Sequence, residues 1–319
     1  MNAAETKMVT GLPKISVVVP VYNSAMVLPR LAKELEAVLA KCSAGFELIL
    51  VNDASPDQSW QVITDLAKEH AWVYGINLMR NVGQHNALLC GIRAAKYEII
   101  ATVDDDLQNP PDQIPLLLKV LQEGFDVVYG TPEEEQHGLL RDLASKITKL
   151  VLQNAMGAEI ARNISAFRVF RTEVREAFRD YRGPFVSVDV LLTWGTTRFG
   201  SLRVRHEPRR EGVSGYTLKK LVLHALNMMT GFSVLPLQIA SLIGFGFTVL
   251  GLMALAFVIG RFLVQGSAVP GFPFLASLIA VFSGAQLFAL GIIGEYLARV
   301  HFRIMDRPPY TVRSEAPGD

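Results

Sequence analysis

Cysteine is almost missing from this chain: Cys42 and Cys90 are the only two among 319 residues. Two thiols cannot build a disulfide framework or a thiolate metal cage, and they read as small buried apolar side chains. A surplus of either charge is also lacking, with 31 Lys+Arg against 30 Asp+Glu. That balance excludes a dedicated nucleic-acid binder, which needs a cationic excess. Half of the residues are hydrophobic and the mean hydropathy is +0.29, which excludes disorder. The segment Met1 to Pro13 is polar and holds no apolar core, so nothing in it resembles a secretory signal. The soluble part is therefore expected in the cytoplasm.

Charge is missing most conspicuously near the C-terminus. Between Phe232 and Ala298 the only formally charged side chains are Arg261 and Glu295. Phe232–Gly260 and Phe262–Gly294 each exceed the roughly 20 residues that cross a bilayer, and the Pro- and Gly-containing segment Val264–Pro273 makes the turn between them. Lys219 and Lys220 precede the first span, and Arg299, Arg303, Arg307 and Arg313 follow the second. They outnumber Arg261 near the turn, so the positive-inside rule places both ends in the cytoplasm. The competing reading is a hydrophobic dimer interface. Just before the hairpin, Thr217–Met229 carries an apolar stripe beside Lys219, Lys220 and His224, the pattern of a helix lying in the membrane interface, or else of a core helix.

Upstream, apolar β-branched runs alternate with helical periodicity. Ile15–Val21, Phe46–Val51, Trp72–Leu78, Ile99–Val103 and Val127–Tyr129 read as strands. Helices are expected between them, the last over Pro111–Glu123. This alternation predicts an α/β fold with a parallel sheet covered on both faces, whose ligands sit at the carboxyl ends of the strands. Farther on, Leu139–Met156 reads as an amphipathic helix, and Ile164–Phe170 and Leu202–His206 as strands.

Polar clusters stand where such a sheet presents its ligands: Pro20–Asn23, Asn52–Asp57 and Val103–Pro111. In the last, Asp104, Asp105 and Asp106 repel one another unless a cation or solvent neutralises them. A hard divalent cation such as Mg²⁺ or Mn²⁺ uses one or two carboxylates and takes further oxygen ligands from diphosphate and water. On an extended segment Asp104, Asp106 and Gln108 would share one side while Asp105 points elsewhere. The competing reading is a solvated acidic loop.

Taken together, SVVVPVYN, VNDASPD, MRNVGQHNALLCGI and VDDDLQNPP resemble the family-2 glycosyltransferases of the GT-A fold, and within them the polyprenyl-phosphate glycosyltransferase branch. The resemblance runs from about Ile15 to about Pro309 and implies a Rossmann-like mixed sheet with interfacial helices and a two-helix transmembrane hairpin. It implies a nucleotide pocket of Pro20, Tyr22, Asn23, Asp53, Arg80, Gly83, Asp104 and Asp105, and Mg²⁺ or Mn²⁺ on Asp104, Asp106 and Gln108. Asp104, Asp106, Arg141 and Arg168 become the catalytic candidates. Arg141, Ser145, Arg168, Arg205, Arg209, Ser214 and Tyr216 become candidates for the acceptor phosphate. Gly215 stands where the family pattern usually has lysine, and the acidic residue that many relatives place near Arg162 is missing.

The resemblance thus implies metal-dependent, inverting transfer of a sugar from a nucleoside diphosphate, UDP first, to undecaprenyl phosphate at a bacterial inner membrane. Its partners are the sugar nucleotide, the polyprenyl phosphate, the membrane and a homo-oligomeric copy, with no nucleic acid. Two alternatives remain: a transferase extending a glycan on a hydroxyl, and a membrane-anchored sugar-nucleotide scaffold with little turnover. The chain divides into a polar segment (1–13), a catalytic domain (14–211), an interfacial helix (212–230), two spans (about 232–260 and 273–298) and a cytoplasmic tail (299–319).

Overall fold

The computed structural model describes residues 11–132, 163–183, 186–207, 235–265 and 271–317. The interfacial helix expected over 212–230, the helix expected over 139–156 and the boundary at 211 lie outside the described residues.

Four strands follow one another in the predicted order: β1 (Lys14–Val21), β2 (Gly45–Asn52), β3 (Val73–Leu78) and β4 (Ile99–Thr102). Between them lie α1 (Leu28–Cys42), α2 (Ser59–Glu69) and α3 (Gln84–Ala94). A 3₁₀ turn, Pro111–Gln113, leads into α4 (Ile114–Gln122), and β5 (Val127–Pro132), β6 (Arg168–Arg171) and β7 (Phe199–Val204) complete this half. β1 carries apolar side chains toward both faces and is buried on both, as a central strand requires.

With β8 (Val312–Ala316), near the C-terminus, the sheet has eight strands in the order β7-β5-β6-β4-β1-β2-β3-β8. It is mixed, because β6 runs antiparallel to β4 and β5, and β8 antiparallel to β3. One core, built on Leu31, Leu35, Leu117 and Leu121, lies under α1, α2 and α4. The other, with Leu88, Ile92, Tyr129 and Phe170, lies under α3 and a further helix, α5 (Val188–Gly195). Cys90 belongs to this second core, and burial pushes its thiol up to about 12, in keeping with an apolar, unreactive role.

Three details depart from the sequence reading. β7 begins at Phe199 rather than Leu202, and β6 is confined to Arg168–Arg171 because residues 164–167 form an irregular approach to it. Residues 299–319 are not simply a tail. The second long helix continues to Ile304, and β8 (Val312–Ala316) then returns to the edge of β3, pairing Ala316 with Gly75 and Val312 with Leu78.

The two long helices, α6 (Leu235–Gln265) and α7 (Phe272–Ile304), have 31 and 33 residues. At about 1.5 Å per residue each exceeds a hydrocarbon core of about 30 Å. Their most apolar stretches, Leu237–Arg261 and Val281–Ile304, are long and apolar enough to cross a membrane. The helices meet at Phe247 and Phe282, whose rings stand edge to face at 6.0 Å. Along Leu237–Arg261 of α6 Ala240 alone is buried, and the helix's apolarity has no preferred face. A dimer seam would leave a polar side, whereas lipid contact demands none.

Candidate active site

Each parallel strand releases a polar loop at its carboxyl end, and hydrogen bonds gather these loops. After β1, Asn23 adopts a left-handed backbone (φ 60°) and its amide donates to Ser55 Oγ at 3.1 Å. Ser24 N donates to Ser59 Oγ at 3.0 Å, and Ala25 N to Asp57 Oδ2 at 3.1 Å. Asp57 is partly desolvated, but bonds from Ser59 and Ala25 outweigh that cost and hold its carboxyl below the usual range. Tyr22 is 52% exposed. Pro20 is buried in β1.

Asp53, expected in the nucleotide pocket, stands just after the end of β2. It is 3% exposed, and its oxygens accept Val82 N at 2.7 Å and Gly83 N at 2.8 Å. Burial raises its pKa, an effect the two amides partly offset. Its carboxylate is therefore engaged in shaping the loop after β3. That loop needs Gly83, whose φ of +89° is disfavoured for any side chain, and it leaves Arg80 exposed at the rim.

The acidic loop follows β4. Asp105 turns back to the β1 loop, accepting Tyr22 N at 3.1 Å and Ser24 Oγ at 2.5 Å. Asp104 Oδ1 accepts Gln84 Nε2 at 2.6 Å, and Asp106 Oδ1 accepts Gln108 N at 3.1 Å. Residues 105–106 form a turn, so these bonds, rather than the alternation of an extended strand, separate Asp105 from its neighbours. Leu107 closes the turn with a left-handed φ of 57°. Glu207 N donates to Gln108 O at 2.8 Å, tying the loop to the chain leaving β7.

Among the described residues no group of three or more His, Cys, Asp or Glu side chains is placed to hold a metal ion. The loop instead offers oxygen donors from Asp104, Asp106 and Gln108. This set fits a hard cation held by one or two carboxylates with further ligands from a diphosphate, and it does not fit a thiolate- or imidazole-seeking metal.

The acceptor-side candidates fare differently. Arg141, Ser145, Arg209, Ser214 and Tyr216 lie outside the described residues. Arg205 is exposed and pairs with Asp112 at 2.8 Å. It borders a cavity of about 420 Å³ that also touches Asp106, Leu107, Pro110, Met26 and Val27. Arg168 is not a surface cation. It is 1% exposed, its Nη1 is paired with Asp189 and its Nε donates to Thr102 Oγ1 at 3.0 Å. This guanidinium is committed inside the sheet rather than offered to a lipid phosphate.

Sequence reasoning assigned no role to Gln84, Ser24, Ser59 and Asp189, and marked Ser55 and Asp57 only as members of the Asn52–Asp57 cluster. Gln84 stands in the GQHNA segment, and Ser55, Asp57 and Ser59 in SPDQS. Their short hydroxyl and carboxylate side chains beside a strand end were the available signal.

The sequence model of glycosyl transferase family 2 matches residues 16–178, from within β1 to beyond β6, with the loops after β1, β2, β3 and β4. The chain belongs to glycosyl transferase family 2. It is a glycosyltransferase, and its GT-A-like domain carries two apolar helices suited to a transmembrane hairpin. The curated relatives include undecaprenyl-phosphate 4-deoxy-4-formamido-L-arabinose transferase of Serratia proteamaculans, 32% identical over 309 residues, 96% of this chain and 94% of the relative. The enzyme of that name from Yersinia pestis is 32% identical over 95% of this chain and 93% of its own. Among solved structures, glucosyl-3-phosphoglycerate synthase of Mycobacterium tuberculosis, crystallised with Mn²⁺, UDP-glucose and phosphoglyceric acid, superposes with a TM-score of 0.50. It shares 16% identity, covering 68% of this chain and 78% of the synthase, and its likeness is one of fold.

Proposed function

We propose that this glycosyltransferase moves a sugar from a nucleoside diphosphate, UDP in the first instance, onto the phosphate of undecaprenyl phosphate. The product is a polyprenyl monophosphate sugar with inverted anomeric configuration. The observation that carries this reading is similarity extending over 95% or more of the chain, hairpin included, to transferases named for undecaprenyl phosphate. An acceptor whose tail stays in the bilayer accounts for joining a soluble fold to two apolar helices.

The chemistry needs little from the missing acidic residue near Arg162. A phosphate monoester loses its second proton with a pKa of about 6, so the attacking oxygen is already largely anionic at neutral pH. Positioning and charge compensation are then the main catalytic terms. Tyr22 and the loop shaped by Asp53 and Gly83 would receive the nucleotide. Asp104, Asp106 and Gln108 would hold Mg²⁺ or Mn²⁺, which supplies positive charge to the leaving diphosphate. Arg141, Ser145, Arg209, Ser214 and Tyr216 are the groups proposed for the acceptor phosphate, and Arg205 extends that set at the rim. The hairpin would sit in a bacterial inner membrane with the catalytic domain and both termini in the cytoplasm, as the arginines in the last turns of α7 and beyond it favour.

The test is nucleotide release by the full chain in detergent, across UDP-, GDP- and CDP-sugars, with Mn²⁺ or chelator and with or without a short polyprenyl phosphate. Release that requires both metal and lipid is expected for one UDP-sugar. Equal release without lipid would remove the acceptor assignment, and release unaffected by chelator would remove the metal.

A further inference from the structure

The end of β4 carries the acidic loop, and what fixes that end is unusual for a sheet interior. On one side the hold is ordinary backbone: Val103 N donates to Val18 O of β1 at 3.1 Å. On the other side a buried cation stands in register between two strands. Arg168 of β6 lies opposite Thr102 of β4 and opposite Tyr129 of β5.

Thr102 is fully buried and is the last residue of β4. Its hydroxyl donates to Ala166 O at 2.7 Å and accepts Arg168 Nε at 3.0 Å. Asp189, in the first turn of α5, receives Arg168 Nη1 and the Tyr129 hydroxyl, the latter at 3.2 Å. Burial, reinforced by the neighbouring Asp189 carboxylate, pushes the Tyr129 phenol well above its usual range, so it stays a proton donor. The guanidinium also lies 6.0 Å from the centre of the Tyr129 ring.

A buried ion pair is an expensive way to fill space, and apolar side chains of similar volume commonly do as well. Its directional bonds do what apolar packing cannot, which is to fix the rotation of one hydroxyl two residues ahead of Asp104. We propose that Asp189, Arg168 and Thr102 form a positioning relay that sets the end of β4, and through it the acidic loop, for a nucleoside diphosphate carrying a divalent cation. Asp189 orients Arg168, and Arg168 orients Thr102. None of the three touches substrate, so they are positioning residues. The proposal rests on the reading that Asp104, Asp106 and Gln108 take the cation.

The test is calorimetric titration of the full chain in detergent with UDP, in Mn²⁺ and in chelator, for wild type, Thr102→Val, Thr102→Ser and Asp189→Asn. Thr102→Val keeps the shape and removes the hydroxyl. It is expected to raise the Kd for UDP in Mn²⁺ by about tenfold, the scale of one bond to a charged group, while leaving the chelator value unchanged. Thr102→Ser restores the hydroxyl and should return the Kd to near the wild-type value. Asp189→Asn, which loosens Arg168 from the other end, should shift the Mn²⁺ value in the same direction and keeps the test informative if Thr102→Val folds poorly. Wild-type binding in Mn²⁺ by Thr102→Val and Asp189→Asn, or equal weakening with and without metal, overturns the relay. Wild-type UDP binding indifferent to Mn²⁺ would instead overturn the cation reading beneath it, and the relay with it.

Discussion

Replacing Asp106 with Asn should reduce sugar transfer by about 10²- to 10³-fold, the usual cost of removing one electrostatic contact to a developing charge, without unfolding the protein. The geometry supplies the control. Asp106 Oδ1 accepts Gln108 N at 3.1 Å, and the amide oxygen of asparagine can accept the same bond. The loop therefore keeps its turn while losing the negative charge that attracts a cation. Turnover measured beside a thermal melt checks both halves. Wild-type turnover in this variant would leave the acidic loop a solvated turn with no metal role. Asp105→Ala carries a different expectation. That carboxylate holds Tyr22 N and Ser24 Oγ, so its loss should loosen the nucleotide side of the pocket and show first in KM for the donor.

The second large effect is on stability. Asp189→Ala leaves Arg168, 1% exposed, without its carboxylate, and also frees the Tyr129 hydroxyl. Stranding one member of a buried pair costs about 3–5 kcal/mol, a large share of the roughly 5–15 kcal/mol that holds a typical domain together. The melting temperature should fall by on the order of 10 °C. The milder Asp189→Asn keeps a hydrogen-bond acceptor and should cost less. A melt of Asp189→Ala indistinguishable from wild type would show that Arg168 finds another partner and that the network described here carries little of the fold's stability.

The sheet's central half was legible because buried parallel strands read as unbroken apolar runs, as ISVVVPV and FELILV do, and because the polar residues directly after them fall at the ligand-binding edge. The two long apolar helices were legible from missing charge alone. Other elements were hidden for physical reasons. α5 is eight residues of VDVLLTWG, an apolar run too short for helical periodicity to separate it from a strand. β8 is the polar VRSEA, an edge strand held largely by backbone pairing to β3, which no side-chain pattern announces.

The site shows the same division. Which residues stand at the strand ends could be read from the chain, but whether each faces a ligand or a neighbour could not. Asp53 follows β2 where a nucleotide contact is expected, and its hydrogen bonds to the backbone amides of Val82 and Gly83, about thirty residues away, could not be read from the chain. Arg168 was a candidate for the acceptor phosphate, and its partner, Asp189, sits on the helix that periodicity did not disclose. Composition marks a charge, and only the fold says what neutralises it.

The central claim is that the lipid phosphate itself is the acceptor. Its most direct test is the mass and linkage of the product formed from a short polyprenyl phosphate and the UDP-sugar that supports turnover. The account predicts a polyprenyl monophosphate ester that has gained one glycosyl unit, joined through its phosphate oxygen with inverted anomeric configuration, together with stoichiometric UDP. A diphosphate-linked product, or a glycosyl unit found on a hydroxyl with the lipid phosphate unmodified, would contradict it.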